Sequence, residues 1–242
     1  MVRVEWRDRV LVVTIDRPER RNAVDHATLL ALADAQDEAA ARGARALVLT
    51  GAPPAFSAGA DLTGVESGEF VDALVRVLRG FTTLGLITIA AVDGPALGAG
   101  TQLAVACDLR VASPTSQFGI PAAKLGLAVD RWTIDRLSRE FGASVARAML
   151  LAAQTYTAEQ LHVMGGIHRL GGLADALVWA DELAHLAPLT IEAHKLGLEG
   201  LAPPPAVNER FEQGRLAAWD SDDAEEGRTA FLAKRRPDFC GS

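Results

Sequence analysis

The chain has 242 residues, 49% of them hydrophobic, and a formal net charge of −7. This is enough for one large domain or a domain and a half with a sizeable core, and it argues against disorder. The acidic balance argues against nucleic acid as the main partner, which usually meets a basic face, but leaves room for a small anion held by a local arginine cluster.

The first residues, MVRVEWRDRV, are charged and lack the apolar core of a signal peptide. VRVEW and VLVVTI read as a hairpin with Asp8 and Arg9 between them. DRPERRN (16–22) is a polar connection. Asp25 then has the chemistry to cap a long Ala/Leu-rich helix, HATLLALADAQDEAAARG, ending at Gly43. ARALVLT (44–50) predicts a buried strand that runs into a loop of small residues, GAPPAFSAGADL (51–62). Residues 67–83 predict an amphipathic helix, and GLITIAAV (85–92) a second buried strand, far too short to span a membrane. DGPALGAG (93–100) reads as a turn into a helix containing Gln102 and Cys107, the latter as a small core residue. DLRVAS (108–113) is a further strand. Strand and helix thus alternate, the pattern of βαβ units and a mostly parallel sheet.

From Arg131 onward the pattern is almost all helix, punctuated by Gly142, Thr157, Gly165, Gly171–Gly172 and Pro188. PPP (203–205) marks a joint before two last helices, NERFEQGRLAAW and DDAEEGRTAFLAKR. An α/β core with a C-terminal helical appendage is expected. His26, His162, His168, His185 and His194 have no metal-ligand spacing, and Cys107 and Cys240 form neither a disulfide framework nor a metal set, so no metal is expected.

Two loops carry the functional signal. FSAGADL (56–62) and GPALGAG (94–100) each follow a predicted buried strand and lead toward a helix. Ligands of parallel sheets collect at the carboxyl ends of strands. Small side chains let a ligand approach the backbone, and helix starts carry unpaired N–H groups at the positive end of the dipole. Two such N–H groups aimed at one point would stabilise an oxyanion. The plainer alternative is that these residues serve close packing alone. A dinucleotide site is a poor fit, because GPALGAG has the wrong spacing and lies late in the chain.

Taken together, IDRPERRNAVD (15–25), FSAGADL (56–62), GPALGAGTQLAVACDLRVAS (94–113) and FGIPAAKLGLAVD (118–130) resemble the enoyl-CoA hydratase/isomerase superfamily, in its order and close to its spacing. The resemblance implies a crotonase-like α/β fold, a ββα superhelix, with residues 1–190 as the core and 191–242 as a C-terminal helical trimerisation region. It implies a coenzyme A thioester as ligand or substrate and no other cofactor. The thioester oxygen would lie on the N–H groups of Ala60 and Ala99. Ala58, Asp61 and Leu62 match the CoA contact region, and Arg20 and Arg21 are candidate partners for CoA phosphates. Trp132 is a candidate lining residue of an acyl pocket. In the superfamily the last helices often cover a neighbouring subunit's site, so a basic residue of KRRPDF (234–239) would reach CoA from there.

The sequence departs from the hydratase pattern where the chemistry is done. The positions of the two family glutamates hold Gln102 and Ala122. An amide orients water but exchanges no proton near neutral pH, and an alanine does neither. Each lost acid–base group costs about 10²–10⁴ in rate. Asp130 aligns with a third position where some dienoyl-CoA isomerases carry a catalytic aspartate, although DRWTIDRL also reads as an N-cap opening a helix. The chain most resembles mycobacterial-type homologues that lack both glutamates and are associated with long-chain acyl-CoA for lipid synthesis. Two functions are therefore expected to compete. One is a cytoplasmic acyl-CoA binder, a homotrimer or hexamer that passes its ligand to a lipid-synthesis enzyme. The other is an active isomerase or hydratase using Asp130.

Overall fold

The computed structural model describes residues 1–63, 68–199, 216, 219–235 and 237. These fall into two units, one drawn from Met1–Phe118 and Tyr156–Leu201, the other from Gly119–Thr155 and Ala202–Ser242.

The first unit is built on a six-stranded sheet in the order β1-β2-β3-β4-β6-β9. The hairpin comes first: β1 (Val2–Arg7) pairs antiparallel with β2 (Val10–Ile15), and Asp8 takes a positive φ at the turn, as aspartate does more readily than most residues. From β2 onward every pairing is parallel, through β3 (Ala46–Gly51), β4 (Ile87–Val92), β6 (Leu109–Ala112) and the two-residue β9 (Arg169–Leu170). Strands β2, β3 and β4 are nearly continuous apolar runs because both faces are covered, whereas β6 carries the buried Arg110 and β9 is exposed. Val10, Val12, Ala46, Val48, Ile87 and Ile89 bury one face against Ala176, Ala180 and Ala184, from helix α7 (Leu173–Leu183) and its C-cap. Residues of opposite parity, among them Leu11, Val13, Leu47 and Leu49, are equally buried, and period-two geometry puts them on the other face. Helices α1 (His26–Ala41) and α3 (Ala99–Ala106) also contact the strands, and α2 (Gly68–Thr83) lies against both.

Local chemistry explains the helix ends. Asp25 accepts from the Thr28 N–H at 2.8 Å and its hydroxyl at 2.6 Å, and Gly43 follows α1 with φ +68°. A second, three-stranded sheet has the order β5-β7-β8, from β5 (Pro95–Leu97), β7 (Gln117–Gly119) and β8 (Tyr156–Thr157). Two sequence expectations are corrected here. DGPALGAG contains a three-residue strand as well as a turn, and the helical stretch after Arg131 is interrupted by β8 and β9. The small helix α6 (Ala158–Val163) is closed by a capping box of Thr157 and Gln160, and α8 (Pro188–Glu199) is tied down by Lys195. The buried Lys195 ammonium donates to the Phe81 and Leu86 carbonyls and to Asp108 at 2.8 Å.

The second unit contains a 3₁₀ turn (Pro121–Lys124), then α4 (Arg131–Phe141), α5 (Ala143–Leu151) and α9 (Asp222–Leu232). The Trp219 indole N–H donates to the Ala128 carbonyl at 2.8 Å, which fixes the approach to α4. PPP (203–205) and all of NERFEQGRLAAW except Leu216 and Trp219 lie outside the described residues. No helix among the described residues is long and apolar enough to cross a membrane.

Candidate functional site

The parallel pairing of β3 with β4 puts their carboxyl ends side by side, so the loops that follow them meet. They meet through backbone hydrogen bonds. The Ser57 N–H donates to the Pro95 carbonyl at 3.0 Å, and the Leu97 N–H to the Ser57 carbonyl at 2.9 Å. The approach requires glycine at position 59. Its φ is +109°, and a Cβ there would lie 2.9 Å from the Leu97 carbonyl oxygen and 3.6 Å from the Ala99 nitrogen. Residue 59 therefore abuts the first N–H of α3.

Ala60 follows directly. Val24 brackets it: the Val24 N–H donates to the Gly59 carbonyl and the Asp61 N–H to the Val24 carbonyl, both at 2.8 Å. In such a pairing the bracketed residue turns its own N–H to the opposite side. Ala99 opens α3, and the first N–H groups of a helix have no partner within it. Among the described residues neither the Ala60 nor the Ala99 N–H donates a hydrogen bond. The two donors sit in touching loops, and the α3 dipole adds positive potential at Ala99.

Gln102 is buried, and its N–H donates to the Gly98 carbonyl at 3.1 Å. Helical spacing sets it on the face of α3 that Ala99 begins, one turn along. Thr101 Oγ1 donates to the Ala96 carbonyl at 2.6 Å, which ties the helix start back to β5.

The loop of Ala60 is held differently. Arg17 Nη2 lies 3.0 Å from Asp61 Oδ2 and 3.1 Å from Asp25 Oδ2, while Nη1 donates to the Ala23 carbonyl. Asn22, fully buried, accepts from the Arg17 N–H at 2.8 Å and donates to the carbonyls of Ala52 and Ala55, both at 2.6 Å. Burial alone would raise the Asp61 carboxyl. Hydrogen bonds from Thr63 and Arg17, together with the Arg17 charge, outweigh burial and hold the group below the ordinary carboxylate range. Asp25 is also held low: burial raises it, and the Thr28 bonds with the Arg17 charge more than compensate.

Of the residues singled out in the sequence, the first unit brings Ala58, Ala60, Asp61, Leu62, Ala99 and Gln102 onto these two loops and the start of α3. Arg20 and Arg21 are exposed on the 17–22 connection, where the Arg21 carbonyl accepts from the Ala58 N–H at 2.9 Å. The Asp61 carboxylate is committed to Arg17 and Thr63. Ala122, Asp130 and Trp132 belong to the second unit. Ala122 lies in the 3₁₀ turn, and its carbonyl accepts from the Leu125 and Leu127 N–H groups. Asp130 caps α4, one oxygen accepting from the Thr133 N–H at 3.1 Å and the other from its hydroxyl at 2.6 Å. Trp132 is half-buried in the first turn of α4. Arg235, from the basic segment after α9, is paired with both oxygens of Glu226 at 2.6 and 2.7 Å. Arg17 and Asn22 are the residues that sequence reasoning missed. Nothing local separates Arg17 from the other arginines of DRPERRN.

The family model for enoyl-CoA hydratase/isomerase matches residues 5–242. The chain is 42% identical over 247 aligned residues to the "Probable enoyl-CoA hydratase echA6" of Mycobacterium bovis, spanning all of both. Among solved structures, it superposes on carnitinyl-CoA hydratase from Mycobacterium avium with a TM-score of 0.86 at 32% identity, covering 100% of this chain and 98% of the other. It superposes on a methylmalonyl-CoA decarboxylase in complex with 2-nitronate-propionyl-CoA with a TM-score of 0.91 at 26% identity, again over 100% and 98% of the two chains.

Proposed function

The chain belongs to the enoyl-CoA hydratase/isomerase family and has its crotonase α/β fold; from that premise we propose that it holds the thioester oxygen of a long-chain acyl-CoA on the N–H groups of Ala60 and Ala99, and hydrates enoyl-CoA weakly or not at all. The observation that carries the reading is the pair of unengaged N–H donors on touching loops, beside a glutamine and not an acid at the α3 position. Hydration and decarboxylation both occur on this fold, judged by the names of its relatives, and both act on a CoA thioester. What such reactions share is negative charge on the thioester oxygen, which two fixed donors stabilise without a titrating group. Adding water needs more, namely groups that give and take protons near neutral pH. Gln102 and Ala122 supply none. Arg20 and Arg21, exposed and without ion-pair partners among the described residues, fit CoA phosphates, with the backbone of Ala58 to Leu62 alongside. Trp132 suits the acyl chain.

Two measurements test this. The first is hydration of a medium-chain trans-2-enoyl-CoA at high protein concentration, beside a genuine hydratase. A rate within about 10²-fold of the control overturns the binder reading, because two lost acid–base groups cost more than that. The second is affinity for a long-chain acyl-CoA and for its thioether analogue, which lacks the carbonyl, in the parent chain and in Ala99→Pro. Proline is favoured at the first helical position, so it removes the donor and keeps α3. The parent is expected to prefer the thioester and the variant to lose that preference; an unchanged ratio removes Ala99 from the site.

A further inference from the structure

We infer that Arg17 is a positioning residue for the Ala60 N–H, aiming that donor through a charge cluster without touching the ligand. The inference rests on the oxyanion reading above and adds to it the means by which one donor is held.

The 56–62 loop is not part of a helix or an extended strand. Its aim depends on Val24, whose two hydrogen bonds straddle Ala60. Val24 in turn lies between Ala23 and Asp25, and Arg17 grips both of those residues and Asp61 as well. The guanidinium therefore fixes the chain on each side of Val24 and immediately after Ala60. Its own N–H is held by Asn22, whose amide is anchored on Ala52 and Ala55 at the end of β3. The Arg17 and Asp61 side chains are only 16% and 10% exposed, so this pairing is less screened than a surface ion pair. A guanidinium offers several donors in a planar fork, which one ammonium does not match. Lysine at this position is expected to keep the charge and lose part of the geometry.

The test reads the donor directly. An acyl-CoA labelled with ¹³C at the thioester carbonyl is bound to the parent chain, Arg17→Lys, Arg17→Met and Asp61→Asn, and the bound carbonyl stretch is recorded by infrared difference spectroscopy. The parent is expected to lower the frequency relative to free ligand. Arg17→Met should return it part of the way, with Arg17→Lys between the two. The thioester-over-thioether affinity ratio should fall about three- to tenfold in Arg17→Met, the worth of one hydrogen bond. A full parent shift retained in folded Arg17→Met and Asp61→Asn overturns the positioning role and leaves the oxyanion reading standing. No shift in the parent overturns both. If Arg17→Met does not fold, Arg17→Lys and Asp61→Asn decide the matter by the same readout.

Discussion

The two loops that carry Ala60 and Ala99 present the same kind of donor and hold it by different means. The Ala99 N–H is aimed by local geometry: a helix begins there, the Gln102 N–H closes onto Gly98, and Thr101 bonds back to Ala96. No ionisable side chain lies between Gly94 and Ala106. The Ala60 N–H is aimed from a distance, by Arg17 and Asn22, through carboxylates whose charge the structure maintains. One half of the site is therefore built without ionisable side chains of its own and the other depends on ion pairs. A donor at a helix start comes with the helix, whereas a donor in a loop needs side chains to hold it.

The largest expected effect sharpens this contrast on the α3 side. If that half is geometrically complete and lacks only protons, restoring them should restore chemistry. Gln102→Glu together with Ala122→Glu is expected to raise hydration of a trans-2-enoyl-CoA by about 10²–10⁴ for each effective acid–base group. Position 102 is buried, and burial raises a carboxyl toward the working pH, which favours general acid–base use. The check is the initial rate in the double variant against each single one. A double variant that binds acyl-CoA and stays inactive would show that carboxylates at positions 102 and 122 are not enough in this chain.

A smaller effect separates the halves by acid. A carboxyl depressed on folding contributes stability above its unfolded pKa and loses it as pH falls through the folded value. Asp25 and Asp61 are both depressed. Their contribution is thus fully present at neutral pH, begins to fall as pH drops into the ordinary carboxylate range, and is gone below the folded values. Thermal melts from neutral pH to about pH 3, a window that spans the ordinary carboxylate pKa, should show a steeper acid loss in the parent than in Asp61→Asn. The His26–Glu69 pair, 4.0 Å apart, is common to both proteins and cancels in the comparison. Parallel pH profiles would mean that the cluster contributes nothing to folding.

The same contrast explains what was legible in the sequence. Asp25 and Asp130 are readable as caps because each bonds to the third residue onward. The β3 and β4 strands are readable because a strand buried on both faces is a nearly continuous apolar run, here broken in each only by a hydrogen-bonded threonine, Thr50 and Thr88. The two small-residue loops are readable as a site because each follows such a strand. Arg17 was not readable, since its partner Asp61 lies 44 positions away and nothing in DRPERRN ranks one arginine above another. Strands β5, β7, β8 and β9 were missed for a similar reason. At two or three residues each they carry no periodicity, and their partners come from other parts of the chain.

The smallest expected effect concerns Asp130, whose two roles can be told apart. As a cap it needs only acceptors for the Thr133 N–H and hydroxyl. Asparagine caps about as well as aspartate, so Asp130→Asn should leave stability nearly unchanged, while Asp130→Ala should cost about 1 kcal/mol. As an acid or base it needs a carboxyl, which asparagine lacks, so any hydratase or isomerase turnover that runs through it should vanish in Asp130→Asn while acyl-CoA binding persists. The cap reading therefore expects Asp130→Asn to match the parent in melting temperature and in whatever residual rate the parent shows. A lost rate with intact binding would move Asp130 from the frame of α4 into the chemistry.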